Sequence, residues 1–134
     1  MKSILISLLF LLLTACTPMS LSSENAPKAQ RIYNQPLQFL YQHAHECVRK
    51  LGWKLSYANK NMRVIRAEAP MNIWTFGQFI YINFEIIDKT HTRVIIASIA
   101  KDQMLDLGRG SSTISEFYRK LDTLLTIDAS KASK

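Results

Sequence analysis

Apolar residues recur along this chain with two different periods. From residue 36 to 51, Leu37, Leu40, Tyr41, Ala44, Val48 and Leu51 fall every three or four positions, which predicts one amphipathic helix. Asn34 is placed to cap its start, with Pro36 in the first turn, and Gly52 is placed to stop it. The same spacing returns at Ile114, Phe117, Tyr118, Leu121, Leu124 and Leu125, and predicts a second helix opened by a Thr113–Glu116 capping box. Between them the period drops to two. Trp53, Leu55 and Tyr57 alternate with polar residues, and 62–68 runs back after a turn at 58–61, where Asn tolerates left-handed backbone. In 78–87, Ile80, Ile82, Phe84 and Ile86 share one face and Phe79, Tyr81, Asn83, Glu85 and Ile87 the other. A turn at 88–91 leads into a last strand at 92–100.

The order is helix, four strands in two hairpins, helix. It predicts an α+β fold in which one four-stranded antiparallel sheet carries both helices on one face, with Arg31–Tyr33 as a short extra edge strand. The opposite face then holds Phe79, Tyr81 and part of strand 92–100. That face is more apolar than water favours, unless the connection bearing Ile73, Trp74 and Phe76 folds over it.

The amino end is different in kind. Lys2 is followed by an apolar run of about ten residues, half the roughly 20 needed to span a bilayer but the length of a signal-peptide core. The run stops at Leu13-Thr14-Ala15-Cys16. This box resembles the lipobox of bacterial lipoproteins: a branched apolar residue, two small ones, then a cysteine. The alternatives are an uncleaved anchor or an ordinary secretory signal with a chance Cys.

The resemblance implies that residues 1–15 are a cleaved signal peptide. It also implies that the Cys16 sulfur accepts a diacylglyceryl group and becomes the first residue of the mature chain. Two or three acyl chains make such an anchor effectively permanent, since each buried methylene contributes about 0.8 kcal/mol. Thr17, rather than Asp, follows the Cys, which in this family points to the periplasmic face of the outer membrane. Residues 16–30, with two Pro and three Ser, predict a flexible tether, 31–127 one domain, and 128–134 a frayed tail. The layout, including Leu51-Gly52-Trp53, is similar to small uncharacterised envelope lipoproteins with a compact α+β domain. That likeness supplies no catalytic residues.

Charge and chemistry refine the picture only a little. Lys plus Arg number 17 against 10 Asp plus Glu. Arg49, Lys50, Lys54, Lys60, Arg63 and Arg66 occur without an intervening acid, and were they to form one basic patch it would suit phospholipid, lipopolysaccharide or peptidoglycan anions. Nucleic acid is not an expected partner outside the cytoplasm. Gly108-Arg109-Gly110 before a helix start is a second candidate for an anion. With Cys16 lipidated, Cys47 is alone and no internal disulfide is expected. His43 and His45 lie about 160° apart around a helix and cannot share a metal ion, whereas His43 and Cys47 could but lack further ligands. Ser111 and Ser112 follow a glycine without a nucleophile elbow. No cofactor is expected. The chain is therefore expected to be non-catalytic, an accessory or assembly protein of the envelope docking through its apolar sheet face and basic hairpin. A binder of anionic envelope ligands is the alternative, and a hydrolase a third.

Overall fold

The computed structural model describes residues 26–71, 77–101 and 109–133. The elements are β1 (Lys28–Tyr33), α1 (Leu37–Lys50), β2 (Lys54–Asn59), β3 (Val64–Ala69), β4 (Gln78–Ile86), β5 (Thr92–Ala100) and α2 (Arg109–Ala132). The strands form one sheet of five, in the order β1-β5-β4-β3-β2, with every neighbouring pair antiparallel. The α+β class is as the sequence predicts. The strand count is not: β1 is a full edge strand that pairs with β5 along its whole length, from Lys28↔Ala97 to Tyr33↔Thr92. Residues 28–30, expected in the tether, therefore belong to the sheet. The sequence predicts only Arg31–Tyr33 as an edge strand and misses its first half because β1 has no alternating apolar face of its own, and its hydrogen bonds go to a strand about sixty residues away.

Each helix buries one stripe against the same face of the sheet. Ile65 and Ala67 of β3, Ile80, Ile82 and Phe84 of β4, and Val94 and Ile96 of β5 meet Leu40, Ala44, Cys47 and Val48 of α1 and Phe117, Tyr118 and Leu121 of α2, all of them buried. Trp53 stacks on Phe117 with ring centroids 6.2 Å apart, closing the end of the core where α1 turns into β2. Tyr118 is buried yet satisfied, its hydroxyl lying 2.9 Å from the carbonyl of Val94 and 3.1 Å from that of Ala29.

The ends of the elements correct four local expectations. Pro36, not Asn34, occupies the N-cap of α1, and no side chain caps it. At the other end Gly52 does what the sequence predicts: with φ 71° it lets its own N–H bond Arg49 O and the Trp53 N–H bond Val48 O, each at 3.1 Å, the Schellman arrangement. In the β2–β3 turn Asn59 Oδ1 accepts from Met62 N, but the left-handed residue is Arg63, at φ 58°, not an asparagine. The second helix starts at Arg109, so Thr113 and Glu116 lie inside it and form no capping box. It runs on to Ala132, through most of the residues read as a frayed tail. Among the described residues no helix is long and apolar enough to cross a membrane.

Candidate functional site: the open face of the sheet

The antiparallel register lays the face away from the helices out in cross-strand rows. One row runs Lys54, Glu68, Phe79, Ile99; the next runs Tyr57, Arg66, Tyr81, Ala97, Lys28; a third holds Val64, Asn83, Ile95 and Gln30. Among the described residues no helix covers them. Phe79 remains 40% exposed and, at the β1 edge, Ile32 is 57% exposed, while Tyr81, Ile95 and Ile99 are half-buried by their strand neighbours. Alternation in β4 buries Gln78, Ile80, Ile82 and Phe84, so Phe79 and Tyr81 point together to the outside; Ile86, expected on the buried face, is exposed at the strand's end.

Charged groups fence these rings. The Arg66 guanidinium sits 5.4 Å from the centroid of the Tyr81 ring and the Lys101 ammonium 4.9 Å from that of Phe79. Lys101 also pairs with Glu68, which accepts a hydrogen bond from Ser56 as well. The hydrogen bond from Lys101 is the main reason that the Glu68 carboxyl is held below its usual range. Arg93 pairs with Glu85 at 2.6 Å near the far end of the face. The arrangement is an apolar strip bordered by charged groups.

The six cations expected in one basic patch do not come together. Lys60 donates to Gln38 in the first turn of α1, while Arg49 and Lys50 lie in its last turn, about 17 Å along the axis. Lys50 is paired with Glu46. Arg63 stays in the β2–β3 turn. Only Lys54 and Arg66 share the open face with Phe79 and Tyr81. The side chain of Arg109 lies outside the described residues, as do Gly108 and the candidate cover at 72–76. So do Cys16 and the signal segment. What sequence reasoning missed is the contribution of Lys28 and Lys101, one on the part of β1 read as tether and one just past the end of β5. No local signal marks either.

Other candidate chemistry is tied up in structure. His43 has one ring nitrogen 2.8 Å from Phe39 O and the other 2.7 Å from Asp128 Oδ2. Cys47 is fully buried, its thiol bonded to Phe117 O and pushed up to about 12 by burial. Among the described residues no three His, Cys, Asp or Glu side chains are placed to share a metal ion. Ser111 lies in the first turn of α2, about 25 Å along that helix from the Asp128 that engages His43. His91 is engaged by Asp88 in the β4–β5 turn. No protein-family model matches the chain, and no curated protein matches it either.

Proposed function

We propose that this chain is a lipid-anchored, non-catalytic docking module of the bacterial envelope. Cys16 holds it at the periplasmic face of the outer membrane, and the open face of its sheet engages a partner protein. One observation carries the docking role: Phe79, Tyr81, Ile95 and Ile99 form an apolar strip that no element of the described chain covers. Hydrophobic surface gathered on one face of a sheet whose other face is fully packed is surface in want of a partner. The anchor rests on the amino-terminal residues, Lys2, the short apolar run and Leu13-Thr14-Ala15-Cys16.

Two measurements test the two halves. Growth with a clickable fatty acid is expected to label the natural protein and to leave Cys16→Ser unlabelled; equal labelling of both, or of neither, removes the anchor. A photo-crosslinking residue at Phe79, on the full chain in living cells, is expected to yield a protein adduct. The same residue at Ser130, on the exposed side of α2, is expected to yield none. Free monomer from both positions removes the docking role.

A further inference from the structure

The open face carries more positive than negative charge, and its pairings show which cations are already neutralised. Glu85 takes Arg93 and Glu68 takes Lys101. Lys28, Lys54 and Arg66 are left, and none forms an ion pair among the described residues. Arg66 and Lys28 occupy one cross-strand row with Tyr81 and Ala97 between them. With strands about 4.8 Å apart, the two backbone positions are about 14 Å from each other. Arg66 is also oriented, because its guanidinium is held near the Tyr81 ring.

We propose that the occupant of this face is an acidic protein surface, with an apolar centre that meets Phe79, Tyr81 and Ile99 and Asp or Glu carboxylates that meet Arg66 and Lys28. The inference rests on the docking role above and names the chemistry of its partner. Three observations favour it. A second copy of this chain would set the same unpaired cations against one another. A layer of anionic lipid head groups would supply negative charge to Arg66 but would set like charge against Glu68 and Glu85 on the same face. The size is of the right order: nine residues in each of β4 and β5 and six in each of β1, β2 and β3 give a face of roughly 600 Å², somewhat below the about 800 Å² that each partner contributes to a standard protein interface.

The experiment places p-benzoylphenylalanine at Tyr81 of the full chain in cells and reads adducts by mass spectrometry, in the natural background and with Lys28→Glu plus Arg66→Glu. The expected result is a protein adduct whose crosslinked surface is rich in Asp and Glu, reduced at least tenfold by the double reversal. Lys28→Gln with Arg66→Gln is expected to give an intermediate loss, and serves alone if the reversal prevents folding. An adduct of undiminished yield in both variants overturns the acidic partner while leaving the docking role standing. An adduct to a second copy, or to lipid alone, overturns it as well. Absence of any adduct at Tyr81 removes the inference together with the docking role.

Discussion

His43 Nε2 lies 2.7 Å from the Asp128 carboxylate, and this bond ties the middle of α1 to the last turns of α2. The imidazole is buried, and its other nitrogen faces the Phe39 carbonyl. A carbonyl and an ionised carboxylate both only accept, and one ring nitrogen faces each of them. The hydrogen bond from His43 is the main cause that holds the Asp128 carboxyl below its ordinary range. A depressed folded value adds stability above the unfolded carboxylate value of about 3.9, and that stability is lost as pH falls through the folded value. Asp128→Asn is therefore expected to lower the Tm near neutral pH, with the gap to the natural protein closing in acid. Thermal unfolding from pH 7 to pH 2 checks this, and a gap that widens toward acid contradicts it.

Cys47 sits in the core with its thiol against Phe117 O, and burial raises it out of the reactive range. A maleimide reagent at neutral pH is expected to leave Cys47 unmodified in the folded protein and to modify it fully in guanidinium. The measurement is made on Cys16→Ser, so that the count concerns one thiol. Rapid labelling without denaturant would contradict the burial.

Arg63 holds φ 58° in the β2–β3 turn, where a side chain is strained by roughly 1 kcal/mol. Its backbone carbonyl accepts from Phe84 N at 3.0 Å, which fixes that conformation. Arg63→Gly is expected to be neutral or to stabilise by up to about 1 kcal/mol, and Arg63→Val to destabilise by about 1 kcal/mol or more. Urea titration of the two variants distinguishes them; equal loss in both would mean that the turn is not held there.

Thr92 is fully buried at the start of β5, and its hydroxyl has no hydrogen-bond partner among the described residues. Valine has the same shape without the unpaired oxygen. Thr92→Val is expected to raise stability by about 1 kcal/mol. A loss of similar size in denaturant titration would show that the hydroxyl is satisfied after all.

The two faces of β4 should respond differently to truncation. Ile82 is fully buried between the helices and the sheet, whereas Phe79 is 40% exposed on the open side. Ile82→Ala is expected to cost about 2–5 kcal/mol and Phe79→Ala no more than about 1 kcal/mol. Comparable losses in unfolding experiments would make Phe79 a core residue rather than surface held for a partner.

By itself the sequence determined the elements whose pattern is local and strong. The α1 stripe, the alternation of β4 and β5, and the stop at Gly52 stand within a residue or two of where periodicity predicts them, because burial of one face imposes a period on neighbouring positions. It also determined that Phe79 and Tyr81 share a face, since alternation leaves them no other choice.

Only the tertiary structure decided the rest, and in each case through contacts far apart in sequence. Edge strand β1 exists because β5 offers it hydrogen bonds, not because Lys28–Tyr33 alternates. The last turns of α2 are helical past the apolar stripe, where Asp128 finds His43 on another element. The six cations are contiguous in the acid-free stretch yet separate in space, because α1 carries two of them to its far end and the β2–β3 hairpin carries the others away. Arg66 gains Lys28 as its neighbour in charge only when β1 closes the sheet. Charge sequence is one-dimensional, whereas a surface patch is set by strand order and register, and those follow from packing the whole chain at once.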